Sequence, residues 1–569
     1  MKSFFKMLLA FILGIIIMTT VFIVIIVSAL QQTSEPIPEN SILKISFNKP
    51  LEDRSGIPSI NITGLKVENN MGLNSLLFAI ERAKFDPRIK GVYLELSNIS
   101  AGMASVEEIR NALSDFRKES GKYVLAYAET YSQKAYFLAT IADKIYLNPF
   151  GNVMFTGMSS EIVFYKGLLE KLGVEVQIVR HGKFKSAVEP FMLDKISDEN
   201  REQITEYMGS IWNYVLQTIE SSREIDINEL KKTADNIELT SAETALEKKF
   251  VDKLLYEDEV YAELQRYSGS KLNLIDINRY FAPLNSDGSE NRIAIIYASG
   301  EIMTGEGDTD IMSKSIMKAI DKARRDSSVK AVVLRVNSPG GSADAAEFIA
   351  RELEITKIYK PVVISMGNLA ASGGYWISAP GNVIFAHHTT ITGSIGVFGM
   401  IPNIEKAAKD KLGITFDAVT TNKHSGFPSI TRPLKPAELD YLQKSVEFIY
   451  SKFIGKVSEF RKMSVSKTDS IGQGRVWSGV NAMELGLIDY FGGLKEAIEE
   501  AARLAEITDY TLVELPKELS TFEFLMKSIE MSATKNRFDG FAKYCEPLIN
   551  SLKNYGILAK LPYETIETD

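Results

Sequence analysis

Asp86-Pro87-Arg88-Ile89-Lys90-Gly91-Val92-Tyr93-Leu94 returns 240 residues later as Asp326-Ser327-Ser328-Val329-Lys330-Ala331-Val332-Val333-Leu334. At the same offset Lys171-Leu172-Gly173-Val174 matches Lys411-Leu412-Gly413-Ile414. With small gaps Thr156-Gly157 matches Thr392-Gly393, and Ala245 and Asp252 match Ala482 and Asp489. One such match is chance; a collinear series at nearly constant spacing is two copies of one domain. The polar run Asn285-Ser286-Asp287-Gly288-Ser289-Glu290-Asn291 marks their join.

Within each copy short β-branched runs alternate with amphipathic helical periods. In the second copy these are Ile293 to Tyr297, Ile311 to Arg325, Ala331 to Val336, Ala343 to Tyr359 and Val362 to Met366. Apolar strands without strict alternation, separated by helices, predict an α/β fold with buried, mainly parallel strands. Periodic faces from Pro436 to Phe460 and from Leu494 to Leu504 predict further helices that pack between copies or subunits. The expected layout is an anchor at 1–30, a linker at 31–41, a first copy at 42–287, a second copy at 288–510 and an extension at 511–569.

The anchor rests on Met7 to Leu30, an apolar run with no charge and long enough to span a bilayer. Lys2 and Lys6 precede it while Gln31, Gln32 and Glu35 follow, which puts the amino terminus in the cytoplasm and the bulk in the periplasm. A cleaved signal peptide is the competing reading, from Val27-Ser28-Ala29, but the run exceeds an ordinary signal h-region. The 569 residues carry a net charge of −8 and no long basic run, which argues against a nucleic-acid partner. A single cysteine, Cys545, leaves no intrachain disulfide and no multi-cysteine metal site.

Two small-residue loops of the second copy follow expected strands, where α/β folds build their sites. Asn337-Ser338-Pro339-Gly340-Gly341-Ser342 exposes backbone amides suited to an oxyanion, or is simply a tight strand-to-helix turn. In Ala371-Ser372-Gly373-Gly374-Tyr375-Trp376 a serine among small residues opens an apolar helix, as a nucleophile beside the Gly373 amide or as an ordinary N-cap. A hydroxyl needs a base. None of the four histidines, His181, His387, His388 and His424, has a marked acidic neighbour in sequence, which favours a lysine kept neutral by desolvation. Lys183 and Lys185 are the candidates, and spacing does not choose between them.

Comparing the copies sharpens this. Where the second has Gly340-Gly341 the first has Ser100-Ala101, and opposite Ser372 stands Gln133; Lys185 in turn faces Ser425. Complementary loss after duplication leaves one composite site per pair of domains.

These residues resemble the signal peptide peptidase A family of the long, tandem-domain type. The resemblance runs from the anchor through both copies and fades after about Tyr510. It is carried by Lys185-Ser186-Ala187-Val188-Glu189-Pro190-Phe191, Asn337-Ser338-Pro339-Gly340-Gly341, Ala371-Ser372-Gly373-Gly374-Tyr375-Trp376 and Thr392-Gly393-Ser394-Ile395-Gly396. It implies Ser372 as nucleophile, Lys185 as general base, Ser394 orienting that lysine, and the amides of Gly341 and Gly373 as oxyanion hole, Gly340 being the alternative to Gly341. It further implies a tandem Clp-protease and crotonase-like α/β superfold and a homotetramer on the bacterial inner membrane in contact with its lipid. The implied substrates are cleaved signal peptides and other apolar peptides, with no cofactor and no metal. Two rivals stand beside it: a crotonase-like acyl-CoA enzyme, sharing backbone-amide oxyanion binding, and a non-catalytic membrane scaffold.

Overall fold

Both versions of the repeated phrase close a helix and launch a strand by the same device. Asp86 Oδ1 accepts the Arg88 amide at 3.0 Å, and Asp326 Oδ1 accepts the Ser328 amide at 2.9 Å, each a local turn preceding a strand. Lys122 Nζ donates to the carbonyls of Ala83 and Asp86, and Lys360 Nζ does the same to Ala323 and Asp326, satisfying the ends of the preceding helices. The strands so launched are Ile89–Glu95 and Val329–Ser338.

The computed structural model describes residues 36–61, 66–269, 271–280, 289–307, 310–517, 556–560 and 565–567, with six positions of the amino-terminal run. The first copy builds a parallel sheet in the order Asn273–Asp276, Ser41–Ser46, Ile89–Glu95, Tyr123–Ala128, Lys144–Leu147, Lys253–Leu254. The second repeats that order with Thr511–Leu515, Arg292–Ser299, Val329–Ser338, Val362–Ala371, Val383–Ala386, Tyr490–Phe491. Every one of these pairs is parallel, which requires crossover connections and buries both faces. The aspartates matched at the far end of each copy also share a task. Asp252 Oδ2 accepts the Ile145 amide and pairs with Arg223, while Asp489 Oδ2 accepts the Ile384 amide and pairs with Arg461.

Two elements run beyond their expected limits. Val362–Ala371 is a ten-residue strand that carries straight up to Ser372. Thr511–Leu515 pairs with Arg292–Ser299 as the outer strand of the second sheet, whereas the extension was expected to begin at 511. The helices Pro436–Phe460 and Leu494–Leu504 form over the anticipated residues. The run from Met7 to Leu30 lies largely outside the described residues, as does Cys545. Among the described residues no helix is long and apolar enough to cross a membrane.

A third, mixed sheet joins the copies. Its strand Val397–Asn403 pairs antiparallel with Glu175–His181 of the first copy, from Val397 opposite His181 to Asn403 opposite Glu175. Val446 and Tyr450 of the long helix Pro436–Phe460 pack onto Val179 and Val397 across that seam. Deeper in the interface Arg335, 1% exposed, is held by Asp53 at 3.0 Å, Glu108 at 2.7 Å and Ser365 at 2.9 Å. A buried guanidinium met by two carboxylates from the other copy specifies one relative placement, because any other leaves a charge unpaired.

Candidate active site

Ser372 stands where the strand Val362–Ala371 turns into the helix Gly373–Ser378, with φ 56° and ψ −115°. A side chain held in so sparsely populated a region costs about 1–3 kcal/mol, sustained here by flanking bonds. The Ser372 amide donates to Gly393 O at 2.8 Å, and its carbonyl accepts the Trp376 amide at 2.9 Å. Its hydroxyl makes no capping bond, so the N-cap alternative fails for the side chain although the residue sits at that position. Gly374 must be small: a Cβ there would fall 2.7 Å from Ser338 O.

The first copy shows what the unstrained version looks like. Ser132 caps the helix Gln133–Ala139 conventionally, accepting from the Ala135 amide at 3.3 Å. Gln133, the counterpart of Ser372, spends its side chain on the Thr156 and Gly157 amides and the Gly157 carbonyl.

Lys185 reaches Ser372 because the interdomain strand pairing ends at His181 and the chain then turns inward. Lys185 Nζ donates to Ser372 Oγ at 2.7 Å, Ser394 Oγ at 3.0 Å and Ser394 O at 3.3 Å. Lys185 and Ser372 are 0% exposed and Ser394 1%. The lysine contacts no carboxylate, so burial, with nothing to offset it, holds its pKa well below the usual lysine value. Two glycines leave room for the stem: a Cβ on Gly474 would lie 2.7 Å from Lys185 Cβ, and one on Gly396 3.1 Å from Lys185 Cδ. Lys183, the other candidate, is exposed, its ammonium over the Phe184 ring at 4.8 Å. Ser425, the counterpart of Lys185, is on an exposed loop.

Ser394 follows Gly393 in the Ile391–Gly393 strand, beside Val362–Ala371, and is pinned by its amide donating to Arg475 O at 2.7 Å. Gly373 is the first helical residue after Ser372, so its amide has no partner within the helix. The Gly340 amide donates to Ser338 Oγ at 3.1 Å. Gly341 has φ 154° and no room for a side chain, whose Cβ would lie 2.1 Å from Ile302 O. Beside it the chain's own segment Gly556–Lys560 lies antiparallel between Gly340–Ser342 and Val397–Asn403, with Ala559 opposite Gly341 and Leu558 opposite Phe398. That segment thus satisfies the strand edges on both sides of it by backbone pairing.

The histidines reverse an impression from the linear sequence. His388 Nδ1 lies 2.7 Å from Glu107, His387 Nε2 3.3 Å from Glu108 and His424 Nδ1 3.1 Å from Glu438. Glu107 is 281 residues from His388 and Glu108 lies in the same distant helix, while Glu438 is 14 residues from His424; none of these pairs has a hydrogen bond to Ser372 among the described residues. The glycines at 396 and 474 also escaped sequence reasoning. Gly396 lay within a quoted motif, but nothing in the sequence distinguishes Gly474.

A serine hydroxyl touches a desolvated lysine amine at a helix start between two α/β copies, an arrangement in which a neutral amine can activate a hydroxyl for attack, as a serine hydrolase requires. Comparison with known proteins specifies the family. The profile of Peptidase family S49 matches twice, at residues 116–271 and 354–508. Protease 4 of Haemophilus influenzae is 38% identical over 472 residues, covering 80% of this chain and 76% of that one. The chloroplastic serine protease SPPA of Arabidopsis thaliana is 32% identical over 487 residues, 82% and 72% of the two chains. A putative signal peptide peptidase SppA of Enterococcus faecium is 31% identical over 271 residues, 44% of this chain and 77% of that one. The chain belongs to peptidase family S49 and is a serine peptidase of the long, tandem-domain type.

Proposed function

We propose that the chain is a membrane-bound endopeptidase that degrades remnant signal peptides, with Ser372 as nucleophile and Lys185 as general base. The observation that carries this is the 2.7 Å contact between Lys185 Nζ and Ser372 Oγ, in a pocket with no carboxylate on the lysine. A neutral amine there accepts the hydroxyl proton as Ser372 Oγ attacks the scissile carbonyl carbon. The oxyanion is met by the amides of Gly373 and Gly341, the Gly340 amide being engaged by Ser338. The lysine ammonium then protonates the leaving amine, and the ester left on Ser372 is cleaved by a water that Lys185 deprotonates. Ser394 orients the amine through its hydroxyl and carbonyl.

An apolar substrate is supported by the surroundings. Ala371 packs in one cluster with Ile204, Met158 and Met208, and a cavity of about 350 Å³ shares those three side chains and Trp212, with Arg201, Ser159, Ser160 and Thr205 as its polar lining. The uncharged run Met7 to Leu30 supports an inner-membrane anchor with the bulk outside the cytoplasm. The Clp-protease and crotonase-like superfold and a homotetramer on the membrane lipid belong to the same reading. Family membership removes the acyl-CoA and scaffold alternatives.

The test is cleavage of an apolar signal-peptide substrate by the detergent-solubilised protein, repeated with Ser372→Ala and Lys185→Ala. Both variants are expected to lose at least about ten-thousand-fold in kcat. Activity surviving either substitution ends the proposal.

A further inference from the structure

The lysine and the serine belong to different copies, so something must fix the distance between them. Pairing of Glu175–His181 with Val397–Asn403 stops at His181, four residues before Lys185. Beyond it, the loop carrying Lys185 is gripped from one side chain. Gln203, on the helix Asp198–Arg223 of the first copy and 1% exposed, donates through Nε2 to Phe184 O at 3.1 Å and to Ser186 Oγ at 3.1 Å. These are the two residues flanking Lys185. Its other end, Oε1, accepts the Val476 amide at 3.1 Å. Val476 pairs with Gly393, and the neighbouring Arg475 carbonyl holds the Ser394 amide.

A single buried amide thus spans the two copies, one end on the lysine's loop and the other on the strand Val476–Ser478, which pairs with the strand leading into Ser394. Asn200 Oδ1 lies 2.9 Å from the same Nε2, so its two hydrogens are shared among three acceptors, while Asn200 Nδ2 donates to Glu189 Oε2 at 3.1 Å. The carboxamide has donors and an acceptor on one rigid plane, which this bridge requires and which no other side chain of that length supplies.

We propose that Gln203 is a positioning residue that sets the reach of Lys185 to Ser372 and Ser394 and keeps water from the amine. The proposal rests on Lys185 being the base. Gln203→Met preserves length and volume while removing every polar contact. The expected result is a kcat lowered about 10- to 100-fold with little change in KM. The acid limb of the pH–kcat profile should also move upward by about one pH unit, because a lysine reached by water regains part of its ordinary basicity. A merely structural residue would lower the unfolding midpoint and leave that limb where it is.

The measurement is the pH–rate profile and thermal unfolding of the full-length detergent-solubilised protein, wild type, Gln203→Met, Ser186→Ala and Lys185→Ala, on one apolar peptide. Ser186→Ala removes one of the amide's partners and should move the limb in the same direction by less; it decides the matter should Gln203→Met fail to fold. An acid limb unmoved in whichever variant folds overturns the role of Gln203, with Lys185→Ala inactive. Full activity in Lys185→Ala would instead overturn the dyad beneath it.

Discussion

Ser372 and Lys185 each hold a state that the fold resists. The serine sits at φ 56° with a side chain attached, and the lysine is buried without a counter-charge. Ser372→Gly is expected to raise stability by about 1 kcal/mol, since glycine adopts that conformation freely, while abolishing cleavage; chemical denaturation checks it. Lys185→Met should raise the unfolding midpoint for a different reason. A lysine whose folded pKa is depressed binds fewer protons folded than unfolded, so its cost to stability grows as pH falls below the ordinary lysine value. The stabilisation by Lys185→Met should accordingly widen from alkaline to neutral pH, read by thermal unfolding across that range. Catalysis follows the same proton: activity falls as pH drops through the folded pKa of Lys185, and a flat rate from weakly acidic to neutral pH contradicts the base role. Both residues were legible, because comparing copies showed each one present where the other copy had lost it. The choice of Lys185 over Lys183 was legible from family motifs and not from spacing. Exposure now separates them. The glutamates facing the histidines were not legible, since sequence distance hides partners such as Glu107 and His388, 281 residues apart.

At the scale of elements, the decisive pieces are the strand Val362–Ala371, the strand pair between copies, and the glycines at 341, 396 and 474. Gly474→Ala should cut kcat sharply, because its Cβ would press 2.7 Å from the Lys185 backbone nitrogen at a φ of 79° that alanine disfavours. KM should change less; steady-state kinetics distinguish the two. Strand and helix positions in the second copy were read well from periodicity, since long apolar runs and amphipathic helices state their period plainly. The third sheet was not. Its strands Ile302–Met303, Ile311–Met312 and Gly340–Ser342 are two or three residues long, too short to carry a period. The tail strand Gly556–Lys560 is defined only by the edges it meets.

For the whole molecule, the two copies are locked by charge as well as by strands. Arg335→Ala leaves Asp53 and Glu108 buried without their cation, and a loss of about 3–5 kcal/mol is expected in equilibrium unfolding. Cleavage and stability should fall together in that variant, because the pairing also fixes how the first copy presents its lysine. That a repeat exists was written in the sequence at Asp86 and Asp326. That its halves meet through an antiparallel strand seam was not, since pairing partners 216 residues apart at Val397 and His181 (397 − 181) and 228 apart at Asn403 and Glu175 (403 − 175) leave no local signal.

The division of the site between copies has a consequence in time. Ribosomes deliver the chain amino end first, so Lys185 emerges long before Ser372, and the first copy can fold while it holds only half of the chemistry. The serine, when it arrives, has no proton acceptor until its own domain has folded and docked. With Lys185 as the proposed base, a nascent or half-assembled chain is harmless to the peptides around it, and reactivity begins only with completed assembly. On that reading, dividing the site between the two copies also gives the enzyme a delay.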